Sequence, residues 1–165
     1  FAVGKTSLVR RFVHQQFSDK YLTTIGVKVD TKEIVLNSYP ALKLAIWDIA
    51  GTDTPTDLFV RYARGAAGIL LVADATRAET LQCCSELRDA IFGAVGPMPY
   101  VVLVNKCDLV GQCELDASVA RTRLEGAEDW LDTSALTGDN VDKAFRLLAL
   151  AMLSRRAQKP AGGAP

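Results

Sequence analysis

Two unbroken apolar runs, Ile69-Leu70-Leu71-Val72-Ala73 and Val101-Val102-Leu103-Val104, constrain this chain more than anything else in it. Each has strand length and no polar alternate positions, so each must be covered on both faces, which places them in the middle of a mainly parallel sheet. The segments around them agree. From Lys5 to about Gln16, Leu8, Val9, Phe12 and Val13 recur at helical spacing, opposite Arg10, Arg11 and Gln15. Val27 to Leu36 alternates, Asn37-Ser38-Tyr39-Pro40 reads as a turn, and Leu42 to Trp47 alternates again, which predicts a hairpin. Ala78 to Phe92 reads as a helix with Leu81, Leu87 and Ile91 inward, ended by Gly93 to Pro99. Trp130-Leu131 is a last short strand. Asp139 to Leu153 is the final helix, with Asp139 as its N-cap and Val141, Phe145, Leu148 and Met152 on its core stripe. Helical and strand segments in alternation predict an α/β domain.

The 165 residues suit one core. Nineteen basic and nineteen acidic side chains cancel, leaving no net field toward nucleic acid or an anionic membrane. The longest apolar stretch, about Ala66 to Ala73, is short of the ~20 residues a membrane helix needs, and no leader pattern opens the chain, so a cytoplasmic protein is expected. Cys83, Cys84, Cys107 and Cys113 form no C-x-x-C pair, and His14 is the single histidine, expected on a helix surface. Neither a zinc site nor a disulfide framework is predicted.

The chemistry lies in three short motifs. Gly4-Lys5-Thr6-Ser7 opens the first helix and ends like the phosphate-loop pattern G-x-x-x-x-G-K-[ST]. A small residue there lets backbone N–H groups, those of Ala2, Val3 and Gly4 included, close on phosphate oxygens at a helix N-terminus. Lys5 reaches the outer phosphates, and Thr6 offers a hydroxyl to Mg²⁺. The pattern's first glycine falls upstream of Phe1, so the leading strand and part of the loop lie outside this sequence. A Gly-Lys-Thr triplet alone arises by chance in about one chain in ten of this length, and its plainer reading is an ordinary helix start. Asp48-Ile49-Ala50-Gly51 follows the strand ending in Trp47 and supplies a carboxylate for a magnesium shell and a glycine N–H for a γ-phosphate. Asn105-Lys106-Cys107-Asp108 is the most specific of the three. It follows a buried strand at the end where an open α/β sheet binds its ligand. Asp108 can accept from the N1–H and the exocyclic amine of guanine, a pairing adenine cannot return.

With Thr23-Thr24-Ile25-Gly26 before the hairpin and Thr133-Ser134-Ala135 after the last strand, five motifs stand in fixed order, and the chain resembles the Ras-like small GTPases, most closely their Rab-like branch. The resemblance runs from Phe1 to about Arg155. It implies a P-loop NTPase fold, a mainly parallel sheet of six strands with helices on both faces, of which the first strand precedes this sequence. It also implies one small GTPase domain over residues 1–155 with a flexible tail over 156–165, rich in Ala, Gly and Pro. GTP or GDP would be the ligand and Mg²⁺ the cofactor. An effector, a GTPase-activating protein and an exchange factor would meet the switch loops, about Tyr21 to Val27 and Ala50 to Arg64.

Residue by residue, the resemblance gives Lys5, Thr6, Ser7 and Thr24 to the phosphates, assigns Thr6, Thr24 and Asp48 to Mg²⁺, and counts Lys5 and Gly51, with Thr52 at the water-orienting position, as catalytic. Gly51 would sense the γ-phosphate. Phe17, twelve residues after Lys5, would lie against the guanine face, with a core phenylalanine as the plainer alternative. Asn105, Lys106 and Asp108 would build the base pocket. Ser134, Ala135 and Leu136 would complete it, Leu136 replacing the family's frequent lysine. Two further departures touch catalysis. Thr52 replaces the glutamine that orients the attacking water, and Phe1 stands at a loop position normally given to a small residue. Tight nucleotide binding with slow hydrolysis is therefore expected, and a GTP-held scaffold is the alternative. A P-loop kinase or ATPase is disfavoured by Asn105 to Asp108. Arg61 and Arg64 are expected on a solvated helix face and Trp47 on a partner-facing sheet surface. The absence of a C-terminal C-a-a-X box argues against a stable membrane anchor and points to a prokaryotic Rab-like protein or a truncated chain.

Overall fold

The computed structural model describes residues 1–18, 24–37, 39–51, 57–112 and 124–158. Among them run α1 (Lys5–His14), β1 (Val27–Ile34), β2 (Leu42–Ile49), α2 (Asp57–Ala63), β3 (Ile69–Asp74), α3 (Glu79–Val95), β4 (Tyr100–Asn105), β5 (Asp129–Thr133) and α4 (Val141–Gln158). The α/β class and the helices on both faces are as the sequence predicts. The described strands divide into two sheets: the antiparallel hairpin β1-β2, and a parallel sheet in the order β3-β4-β5. The division falls between β2 and β3, where the expected central strand has its place.

One core joins the two sheets. Leu70 and Val72 of β3, Val101 and Leu103 of β4, and Leu131 of β5 share a cluster with Ile34, Leu36, Leu44 and Ile46 of the hairpin and with α1 and α4. The alternate residues Leu71, Ala73, Tyr100 and Val102 pack on the other side, against Leu81 and Cys84 of α3. This is why the runs in β3 and β4 contain no polar alternates. All six residues of β4 are buried. Phe12 of α1 stacks on Phe145 of α4 at 3.9 Å between ring centroids, closing the first layer.

Several boundaries differ from the sequence reading. β2 continues through Asp48 to Ile49, so Asp48 belongs to the strand rather than following it. Its alternation puts Leu42, Leu44, Ile46 and Asp48 on one side, which explains why a carboxylate ends up 3% exposed. α3 runs through Gly93 to Val95 and ends at Gly96, whose N–H donates to the Phe92 carbonyl. Asp139 does not cap the last helix, which begins at Val141; its carboxylate accepts from the Thr137 hydroxyl at 2.7 Å instead. α4 also carries Arg156 to Gln158, which the sequence assigns to the tail.

Asp74, Asn105 and Thr133 are register partners across the C-terminal ends of β3, β4 and β5, and all three are almost fully buried. That row is the floor of the candidate site. It lies where an open α/β sheet places its ligand crevice.

Candidate functional site

A cavity of about 350 Å³ opens beside this row, between the start of α1 and the loops that follow β4 and β5. Ala2, Gly4, Thr6 and Ser7 line one end; Phe17, Asn105, Lys106, Asp108, Ala135 and Leu136 line the other. Residues far apart in sequence, chosen for phosphate and guanine contacts, thus face one space. Phe17 is 37% exposed, lines the cavity and belongs to none of the core clusters among the described residues.

Asn105 is the joint between the two ends. Its Nδ2 donates to the Val3 carbonyl at 2.8 Å, and its Oδ1 accepts from the Ala135 N–H at 3.1 Å. At 2% exposure neither bond has water to replace it. Gly4 has φ +93°, and a Cβ there would run into Asn105 Nδ2. Asp108 Oδ1 accepts from the Ser134 hydroxyl at 2.6 Å, which fixes the carboxylate at the cavity edge. Ser134 Oγ accepts in turn from the Thr137 N–H.

At the phosphate end, Thr6 Oγ1 donates to Asp48 Oδ2 at 2.5 Å and lies 2.6 Å from Thr24 Oγ1. Asp48 Oδ1 is buried and has no hydrogen-bond partner among the described residues. Burial raises the Asp48 pKa, against the opposing pull of Thr6 and Lys5. The Thr6 and Thr24 hydroxyls beside the Asp48 carboxylate, whose Oδ1 is orphaned and desolvated, fit a divalent cation such as Mg²⁺, which would offset that charge. Lys5 has its pKa lowered by burial, partly countered by Asp48. An ammonium short of solvent and of a full partner suits an anionic ligand. Gly51 sits so close to the loop that a Cβ on it would lie 2.6 Å from Lys5 Nζ and 2.9 Å from Phe1 Cα. Phe1, about half exposed, thus has its backbone beside Gly51. Thr52 lies outside the described residues, as does Thr23.

Two sets of residues escaped the sequence reading. Arg11, placed there on a polar helix face, extends from α1 to the loop after β5, where Nε donates to the Ala135 carbonyl at 2.8 Å and Nη2 to the Leu136 carbonyl. Asp74 receives the Lys106 ammonium at 2.6 Å. Its pKa is lowered: burial alone would raise it, and the hydrogen bonds from Lys106 and Thr76 outweigh that. Arg61 lies exposed on α2 and Arg64 just beyond it, as expected. Trp47 is 53% exposed with its ring 5.4 Å from that of Tyr62, and His14 ends α1 within 3.7 Å of Asp30.

The described helices include none long and apolar enough to cross a membrane. The family model described as Ras family matches residues 1–154. Among curated relatives, Ras-related protein Rab-32 of Mus musculus is 32% identical over 96% of this chain and 74% of its own length. Ras-related protein Rab7 of Drosophila melanogaster is 34% identical over 95% and 78%. Ras-related protein Rab-7L1 of Homo sapiens is 32% identical over 92% and 78%. Members of this family are GTPases that bind guanine nucleotides with Mg²⁺ and meet regulators and effectors. By its motifs, its fold and these matches, the chain belongs to the Ras family of small GTPases, on the Rab-like branch.

Proposed function

We propose that the chain is a guanine-nucleotide switch that binds GTP and GDP tightly and, acting alone, hydrolyses GTP slowly. The observation that carries the reading is the single cavity shared by the phosphate loop and by Asn105, Asp108 and Ala135. Asp108 accepts from the guanine N1–H and amine, and Ala135, whose N–H the resemblance assigns to the guanine carbonyl, lines the cavity with that N–H donating to Asn105 Oδ1 instead. Phe17 covers one base face, with Leu136 beside it. The N–H groups at the start of α1 and the Lys5 ammonium hold the phosphates. Thr6, Thr24 and Asp48 would hold Mg²⁺, which supplies positive charge against the β- and γ-phosphate oxygens. Gly51, with no side chain to intervene, brings its backbone to the γ-phosphate.

Slow turnover follows from two residues. Thr52 is too short to orient a water as a glutamine does, and Phe1, whose backbone lies against Gly51, puts a bulky residue where the family has a small one, at the approach to the γ-phosphate and of a partner's arginine. Phosphoryl transfer depends almost wholly on positioning and charge, so both departures reduce the rate while leaving base recognition intact. Phe1 against Gly51 equally favours a second reading, a GTP-held scaffold whose surface around Trp47 and Tyr62 meets its effector.

Nucleotide released from freshly purified, heat-denatured protein, followed by single-turnover hydrolysis with Mg²⁺, tests this. Bound guanine nucleotide and a rate about tenfold to a hundredfold below a glutamine-bearing relative are expected, with Thr52→Gln recovering part of the difference. Retained GTP with no turnover selects the scaffold, and no nucleotide at all overturns both. A second expectation concerns the cation. Chelation should speed GDP release about tenfold or more, and Asp48→Asn should release quickly with or without chelator. Equal sensitivity of the two proteins to chelator would remove Asp48 from the cation site.

A further inference from the structure

We infer that Asp74 and Arg77 are positioning residues of the nucleotide site, forming an ionic brace that locks Lys106 and the phosphate-loop backbone to each other and slows nucleotide release. The inference rests on the guanine-nucleotide reading above and adds to it two residues outside the five motifs.

Asp74 ends β3 and is fully buried, and it is not among the cavity-lining residues. All of its acceptor capacity is used. Oδ2 accepts from Lys106 Nζ at 2.6 Å and from Arg77 Nε at 3.1 Å. Oδ1 accepts from the Thr76 N–H at 3.0 Å and the Thr76 hydroxyl at 2.8 Å. The Thr76 turn holds the carboxylate from one side, leaving Oδ2 to join two cations on the other. Arg77 then passes the connection on, since its Nη2 donates to the Phe1 carbonyl at 2.7 Å. The chain of contacts is thus Lys106, Asp74, Arg77, Phe1. It starts in the base-recognition motif and ends on the phosphate-loop backbone.

Two features make this more than a surface ion pair. Lys106 has φ +70° and Ala2 has φ +56°, so the brace grips the chain beside two non-glycine residues in the left-handed region, where backbone relaxation is otherwise favoured. A lysine side chain left unpaired also samples many rotamers, whereas bonded to Asp74 it has one. The guanidinium fork supplies the second feature. Its Nε and Nη2 point to different acceptors at fixed geometry, which a lysine at position 77 cannot reproduce. Asn105 to Val3 is a second, parallel tie between the same two segments. For nucleotide to leave, base loop and phosphate loop must part, and both ties resist that.

The test is release of a fluorescent GDP from the full chain loaded with Mg²⁺, by stopped flow, in wild type, Arg77→Met, Arg77→Lys and Asp74→Asn. Arg77→Met should release about fivefold faster or more. Arg77→Lys should fail to restore the wild-type rate, and Asp74→Asn should be at least as fast as Arg77→Met. Adding Arg77→Met to Asp74→Asn should change little further, because Arg77 acts through Asp74. Hydrogen exchange supplies the readout that general destabilisation would not give: the Ala2 to Gly4 amides should exchange faster in Arg77→Met while those of α4 stay as they are. Arg77 is 35% exposed, so its variant is testable even where Asp74→Asn fails to fold. Wild-type binding with Arg77→Met release within twofold of it overturns the brace and leaves the nucleotide reading standing. A wild type that binds no GDP overturns both.

Discussion

Asp108→Asn is expected to lower GDP affinity by about 10³-fold or more while leaving the fold intact. A site built to hydrogen-bond two donors rejects a mismatched edge by factors of about 10⁴ to 10⁵, because the buried polar groups are left unpaired. The wild-type carboxylate is acceptor-only. With Oδ1 already accepting from Ser134 at 2.6 Å at the cavity edge, its remaining lone pairs are left for the guanine N1–H and amine in the proposed pose. Asparagine keeps one acceptor, which the Ser134 hydroxyl retains, and turns an NH₂ donor toward the base. Donor then meets donor, and the charge that strengthened both bonds is gone. Stability should change little because the Ser134 contact survives. The same geometry predicts a gain: xanthosine diphosphate carries a carbonyl where guanine has its amine, so the variant should prefer it to GDP. Competition against a fluorescent nucleotide measures both affinities. GDP affinity within tenfold of wild type, or equal displacement by ADP in the wild type, would remove Asp108 from base recognition.

What the sequence revealed and what it concealed divide along a physical line. The apolar runs at Ile69 to Ala73 and Val101 to Val104 were readable because burial on both faces leaves a mark on every residue of a strand. Gly4-Lys5-Thr6, Asp48-Ile49-Ala50-Gly51 and Asn105-Lys106-Cys107-Asp108 were readable because each needs particular residue types at close spacing, and the structure brings Gly4, Thr6, Asn105, Lys106 and Asp108 around one cavity, with Asp48 bonded to Thr6. Arg11 was not readable. Helical periodicity sorts side chains by direction, whereas a guanidinium on a three-carbon stem reaches past its own face to two carbonyls of another loop. Asp74 and Arg77 left no signal either, since their partners Lys106 and Phe1 are distant in sequence and meet them only once the parallel register of β3 and β4 exists. The element ends were missed for a related reason. Gly93 suggests a helix stop on propensity, yet α3 carries it for another half turn because Ile91, Phe92 and Val95 pack with Phe59 of α2 and its neighbours.

Gly4→Ala should cost about 3 kcal/mol or more of stability and weaken GDP binding at least a hundredfold, from the addition of one methyl group. Two costs combine. At φ +93° an L side chain is strained by about 1–2 kcal/mol. The new Cβ also stands against Asn105 Nδ2, and Asn105 is 2% exposed with no room to retreat without breaking a bond. Moving its amide forfeits the Val3 and Ala135 contacts, at about 1–3 kcal/mol for each buried group left unsatisfied. A domain of this size should then melt roughly 6–12 °C lower. Binding falls further than stability because the displaced groups are the ones that hold phosphate loop and base loop together. Gly26→Ala separates the two costs. Gly26 also has positive φ, at +73°, yet a Cβ there meets nothing within 4 Å, so that variant carries the strain without the collision and should lose only about 1 kcal/mol. Equal effects of the two substitutions on melting and on GDP affinity would mean that Asn105 yields at no cost, and that its two bonds do not couple the ends of the site.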